Sequence, residues 1–250
     1  MNEQIAGQEN FSLPHDIVSL PSEGKFYKNK KKSVKVGYLT AVDENLIASL
    51  SSGDPIQMLL QLVRNKLYEP ELSPSDMIEG DVEAVLIFLR NTAFGPEYNF
   101  TLIDPETGVE FKQSIILDDL NFVKPSVEPD SEGYLKTVLP KSNAEIKLKI
   151  LTYGETIEIN KSQKKYSAFQ VAPVVTSRLS KQIVEINGNR DINEINNFIS
   201  RMPIMDSKYI KQFLSENEPR IDFNREFIAP SGKKVTARIT FGAEFFRPFF

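Results

Sequence analysis

An α+β fold follows from this sequence, with several antiparallel β-hairpins alternating with short amphipathic helices. Segments of period two, bounded by Pro and Gly turns, mark half-buried strands. Segments of helical period, introduced by Thr or Asp caps, mark helices of a few turns. Of the 250 residues, 40% are hydrophobic and 26% charged, a balance that permits a buried core and excludes a disordered chain.

Residues 1–10 are polar and acidic, which predicts a flexible N-terminal arm and no signal peptide. A first α+β domain is expected over 11–123. It opens with a turn-rich segment, Leu20-Pro21-Ser22-Glu23-Gly24-Lys25-Phe26-Tyr27, followed by a strand in which Val34, Val36 and Tyr38 alternate with Lys35 and Gly37. Thr40 suits the N-cap of a helix reaching about residue 51, with Asp43 and Glu44 at the positive end of its dipole. Asp54-Pro55 starts a second helix, with Ile56, Leu59, Leu60 and Val63 on one face. A third, about 81–91, contributes Val82, Val85, Leu86 and Leu89. Tyr98, Phe100 and Leu102 then alternate into the turn Asp104-Pro105-Glu106-Thr107-Gly108, and Val109, Phe111 and Ile115 lead back in a tight hairpin.

Residues 124–133, with two Pro and three acids, read as a linker to a second α+β domain over 134–250. Ile146, Leu148 and Ile150 form a strand; 177–186 reads as a strand or short helix, broken by Asn187-Gly188-Asn189. Two helices follow, one at 191–201 burying Ile195, Phe198 and Ile199. The other, at 206–217, is capped by Asp206 and buries Tyr209, Ile210, Phe213 and Leu214. A last hairpin spans about 221–241. Leu20-Pro21-Ser22, Leu139-Pro140-Lys141-Ser142 and Ala229-Pro230-Ser231-Gly232 each accompany an alternating strand, a recurring Pro-turn unit.

The absence of Cys excludes disulfides, thiolate metal sites and thiol nucleophiles, and favours a reducing compartment. His15, the one histidine, falls in an N-terminal loop, so no Ser-His-Asp triad is expected. No phosphate loop, dinucleotide fingerprint, calcium loop or zinc-protease motif occurs, and no catalytic residue, metal or cofactor is predicted. Formal net charge is −4, which does not suit nucleic acid. Apolar stretches such as 84–89 are too short for a membrane span. Lys28, Lys30, Lys31 and Lys32 read first as a solvated turn and second as a contact for phosphate or an acidic partner; Lys161, Lys164 and Lys165 read the same way. Asp118-Asp119 suits a turn cap, and the spacing of Glu216 and Glu218 establishes no cleft.

The sharpest feature is the terminal run of Phe241, Phe245, Phe246, Phe249 and Phe250. These rings either fill the chain's own core or insert into a neighbouring subunit; Phe245 and Phe246 suit the first role and Phe249 and Phe250 the second. Phe245, Phe246, Pro248, Phe249 and Phe250, with Phe26 and Tyr27 in the N-terminal turn, form the candidate partner-binding set.

Several segments resemble the baseplate hub proteins of T-even-like contractile-tailed phages. They are Leu20 to Tyr27, then Leu39-Thr40-Ala41-Val42-Asp43-Glu44, and Asp76-Met77-Ile78-Glu79-Gly80-Asp81 to Leu86 with Leu89-Arg90-Asn91-Thr92-Ala93-Phe94-Gly95. Further along come Ile183-Val184-Glu185-Ile186-Asn187-Gly188-Asn189-Arg190-Asp191, Met202-Pro203-Ile204-Met205-Asp206-Ser207, Glu216-Asn217-Glu218-Pro219-Arg220-Ile221-Asp222 and Glu244-Phe245-Phe246-Arg247-Pro248. Their order and spacing carry the resemblance, from about residue 11 onward. It implies a structural, non-catalytic subunit or assembly factor of the central hub, folding in the host cytoplasm and lying in the tail baseplate where it is retained. Its expected partners are other hub and tail subunits, with self-association as a further expectation, and neither nucleic acid nor membrane. Relatives of that family carry CPxCG-type turns resembling zinc knuckles. The corresponding Ile103-Asp104-Pro105-Glu106-Thr107-Gly108 and Ile228-Ala229-Pro230-Ser231-Gly232 keep Pro and Gly without thiolates. Degenerate, metal-free turns held by core packing are therefore expected. The rival readings are a cell-wall hydrolase, which needs a paired-carboxylate cleft, and a nucleic-acid-binding module using residues 28–32.

Overall fold

The computed structural model describes residues 14–49, 54–163, 166, 172–240 and 243–246. Strands β1 (His15–Ser19) and β2 (Ser33–Gly37) pair antiparallel, and Val34 and Val36 turn inward as their alternation predicts. Helix α1 (Ala41–Ala48) begins where Thr40 donates its N–H and hydroxyl to the Asp43 carboxylate, at 2.7 and 2.8 Å. Asp43 also pairs with Lys66, a buried ion pair tying α1 to α2 (Pro55–Lys66). Asp54 caps α2 by accepting from the backbone N–H groups of Ile56 and Gln57. Leu59, Leu60 and Val63 are buried; Ile56 at the helix start is exposed, so the apolar face is one turn shorter than its spacing predicts.

The central helix α3 (Glu79–Phe94) outruns its predicted bounds at both ends and stops at Gly95, whose φ of 81° only glycine adopts readily. Its start lies against the returning chain. A Cβ on Gly80 would stand 2.5 Å from the Pro219 carbonyl oxygen and 2.8 Å from the Arg220 Cα, so only hydrogen fits. Strands β3 (Glu97–Ile103) and β4 (Glu110–Ile116) form the expected hairpin. Asp118 lies in the helical turn Leu117–Asp119 and accepts from the Asn91 side chain.

Strand β5 (Phe122–Val123) is followed by β6 (Leu135–Val138) and β7 (Glu145–Leu148). Helix α4 (Tyr153–Gln163) comes next, opened by a capping box in which the Glu155 N–H donates to the Thr152 hydroxyl and the Thr152 N–H to the Glu155 carboxylate, at 3.2 and 3.1 Å. The ambiguous 177–186 stretch resolves into both alternatives, α5 (Val174–Gln182) running straight into β8 (Ile183–Ile186), which completes a β6-β7-β8 sheet. Helices α6 (Ile192–Ser200) and α7 (Ile204–Asn217) cover that sheet. Strand β9 (Arg220–Ile221) then pairs with β5, and the hairpin of β10 (Asn224–Ile228) and β11 (Lys234–Arg238) leads to a helical turn at Ala243–Phe246. The α+β class is thus as predicted, with small antiparallel sheets throughout the described residues.

Two interiors result. One, around α2 and α3, takes Val18, Leu20, Val34 and Val36 from the N-terminal end and Ile221, Phe223, Ile239, Phe245 and Phe246 from the far end. The other gathers Leu135, Leu139, Ile146 and Leu148 with α5, α6 and α7. Residues 124–133 run between them, and 220–246 return to the first.

The three Pro-turn units each sit in the connection of an antiparallel pair. The residue before proline donates its N–H across the loop: Leu20 to Lys32, Leu139 to Ala144 and Ala229 to Lys233. Each unit is also clamped by a buried aspartate from elsewhere in the chain. Asp81 accepts from the N–H and hydroxyl of Ser22 (2.9 and 2.6 Å) and from the Tyr27 hydroxyl (2.5 Å). Asp206 accepts from the N–H groups of Lys141 and Ser142 (2.8 and 3.0 Å). Asp104 accepts from the N–H and hydroxyl of Ser231 (3.0 and 2.8 Å) as well as from Glu106 and Thr107 in its own turn. Two expectations are corrected here. Asp206 is not an N-cap: α7 starts two residues earlier with Pro203 in that position, and the carboxylate serves a distant loop instead. The two turns lacking thiolates are not held by core packing alone, because Asp104 bonds one to the other and Phe100 meets Phe227 edge-on, centroids 5.3 Å apart. Buried N–H groups need acceptors, and each of these carboxylates supplies several at once.

Candidate functional site

Helices α5 and α7 present polar stripes to a common cleft of about 790 Å³, closed on the remaining side by β9 and β11. On α7, Ile204, Lys208, Lys211 and Ser215 follow the i, i+4, i+7, i+11 spacing of one helical face, while Ile210 and Leu214 on the other face fill the second interior. On α5, Val174, Arg178 and Gln182 form the matching stripe at intervals of four. Arg220 and Arg238 reach the cleft from the strands. Five cations thus line it, against one carboxylate, Glu218. Among the described residues, Arg178, Lys208, Lys211 and Arg238 have no carboxylate within salt-bridge distance. Lys31, Lys147, Lys181 and Arg190, by contrast, each hold one or more.

Burial raises the Glu218 carboxyl to about 7, helped by repulsion from Glu79 and opposed by Arg178 and Arg220. Glu83, on α3 behind the cleft, is raised to about 8 by burial and then by Glu79, against Arg238. Three acids therefore share one neighbourhood, but Glu218 alone lines the cleft, where glycoside hydrolysis needs two carboxylates facing each other, roughly 5–10 Å apart.

The residues singled out from the sequence fall elsewhere. Phe245 and Phe246 are fully buried, ring against ring at 5.1 Å, and Phe245 lies 5.4 Å from Tyr98. The guanidinium of Arg90, itself buried, stacks near Tyr98 and Phe245 and donates to the carbonyls of Gly95 and Glu97. Both phenylalanines therefore face this chain's own interior rather than a partner. Tyr27 is committed inward too: its hydroxyl donates to Asp81 and accepts from the Ile78 N–H at 2.9 Å. Phe26 is half-buried beside the second interior, its backbone against Gly133. Pro248, Phe249, Phe250 and Phe241 lie outside the described residues, as do Lys164 and Lys165. The 28–32 lysines are partly neutralised, Lys31 by Glu69 and Glu71. In the α7 sequence the apolar face dominates the pattern, and Lys208 and Lys211 on the opposite side are the one local signal of the cationic stripe. Among the described residues no three His, Cys, Asp or Glu side chains are grouped to hold a metal, and no helix is long and apolar enough to cross a membrane.

The fold defines an α+β protein of small antiparallel sheets, knit together by buried aspartates that reach between distant segments. The chain belongs to the family described as T4 bacteriophage base plate protein, whose model matches residues 15–247. It is a bacteriophage baseplate structural protein. No curated protein and no solved structure matches it at a significant level.

Proposed function

We propose that this chain serves the central hub of the baseplate, as a structural subunit or as an assembly factor, through protein–protein interfaces. One observation carries the reading: the match to the baseplate family extends over residues 15–247, and so takes in both interiors and, but for Pro248, every segment that resembles hub proteins. The buried clamps support it, since the segments that resemble hub proteins meet in the interior. Leu20 to Tyr27 joins Ile78 to Asp81 through Asp81, and Leu89 to Gly95 joins the terminal segment through Arg90 and Phe245. Such a protein folds in the host cytoplasm and contacts other hub and tail subunits, or further copies of itself, over interfaces of about 800 Å² per partner. Phe249, Phe250, Pro248 and the half-buried Phe26 remain proposed contact residues.

Mass spectrometry of purified virions, beside pull-downs from infected cells, tests this. Presence in particles marks a hub component, absence with hub partners an assembly factor, and absence from both ends the reading. The wall-hydrolase reading has one observation in its favour, the raised carboxyls of Glu83 and Glu218. Turnover of peptidoglycan by the purified chain, abolished by Glu218→Gln, would establish it in place of the structural role.

A further inference from the structure

We infer that the cleft between α5 and α7 is a docking site for an acidic, amphipathic segment of another protein; the inference rests on the baseplate reading and deepens it. Charge complementarity carries it. In a chain of net charge −4, four cations with no carboxylate at salt-bridge distance among the described residues converge on one cleft, Arg178 and Arg238 feeling only the longer-range attraction of Glu218 and Glu83. Cations placed together repel one another, so their arrangement is unfavourable until an anion arrives.

The same cleft is edged by apolar side chains. Val175 is 60% exposed and Ile204 73%, both at the first turns of their helices, where neither Pro173 nor Pro203 supplies a side-chain cap. Backbone N–H groups there add to the positive field. Carboxylates of the occupant would pair with Arg178, Lys208, Lys211 and Arg238, while one or two Leu or Ile side chains cover Val175 and Ile204. The apolar edge formed by Val175 and Ile204 favours an amphipathic peptide over nucleic acid, whose phosphate backbone offers no aliphatic side chains to cover it.

A test uses the purified full chain and a fluorescein-labelled peptide of alternating Glu-Glu-Leu units, read by fluorescence anisotropy. Controls are the Lys-for-Glu peptide and a single-stranded oligonucleotide of equal charge. Saturable binding of the acidic peptide is expected, weakened tenfold or more in Lys208→Glu/Lys211→Glu and threefold or more in Ile204→Ser. Lys208, Lys211 and Ile204 are all exposed, so the thermal midpoint should be unchanged. Absence of saturable binding overturns the inference, as does equal binding by the charge-reversed variant. Tighter binding of the oligonucleotide overturns it in favour of a nucleic-acid site. A chain present in virions but blind to the peptide would sink this cleft assignment alone; a chain that binds the peptide but is missing from virions and hub complexes would sink the baseplate reading alone.

Discussion

Asp81 and Asp104 perform one task at two depths, and their electrostatics come out opposite in sign. Asp81 lies deep between the N-terminal loop and α3. There burial pushes its carboxyl above the ordinary range, outweighing the hydrogen bonds from Ser22 and Tyr27. Asp104 is equally closed to water itself, but its cover is the two hairpin turns rather than the helix-lined interior. Burial raises it too, but donation from Glu106, Ser231 and Thr107 outweighs that and holds it below the ordinary range. The depth of surrounding protein decides how much hydration is lost, and only a thinly covered site lets a few N–H groups win.

The largest test of that contrast is Asp81→Ala. It strands the Ser22 N–H and hydroxyl and the Tyr27 hydroxyl away from water, at about 1–3 kcal/mol for each buried donor. A loss of about 3–4 kcal/mol is expected in urea unfolding. Asp81→Asn, which keeps an acceptor and sheds the charge, should lose less than half as much. Equal losses would mean that the clamp depends on its charge rather than on acceptor geometry.

Next in size is the pH dependence of two half-buried acids whose carboxyls are also raised. Glu83 at about 8 and Glu218 at about 7 are raised from 4.5, so the folded state binds protons that the unfolded state releases. Their contribution is fully present below about pH 4.5 and is lost as pH rises through 7 to 8. Glu83→Gln/Glu218→Gln should therefore be more stable than the parent at pH 8, by on the order of 1–2 kcal/mol. At pH 5 the two should match. A parent whose stability is flat from pH 5 to 8 would remove the effect.

The smallest effect belongs to the rim. Asp104→Ala should cost about 1–2 kcal/mol and speed amide exchange in β10 and β11 before it speeds exchange in α3. For this lowered carboxyl the sign reverses. Its contribution is present above an unfolded value of 3.8 and disappears as pH falls below it, so acid should loosen the paired hairpins in the parent but not in the variant.

Local chemistry made the elements legible. Asp54-Pro55, the alternation through Tyr98, Phe100 and Leu102, and the Pro-turn units all lie where their sequence places them. Helix α4 has a thin apolar stripe, with only Ile157 and Ile159 buried, and its one sequence signal is the Thr152-x-x-Glu155 capping box at its start. Asp206 looked like a cap because any Asp before an apolar run does; its partners, Lys141 and Ser142, lie about 65 residues away, a distance no local pattern reports. The cleft was illegible for the same reason. Its cations come from two helices and two strands that only the fold brings together.

The first interior cannot be finished until segments more than two hundred residues apart are both present. Val18 meets its core early, but Ile239, Phe245 and Phe246 complete it, so a nascent chain leaves that side open while the remaining two hundred or so residues are made, roughly 10–40 s at bacterial elongation rates. During that interval the unfilled space is an apolar surface facing the crowded ribosome exit. A chain terminated before Phe245 would leave the hole unfilled for good, and such a product should fall to proteolysis rather than accumulate.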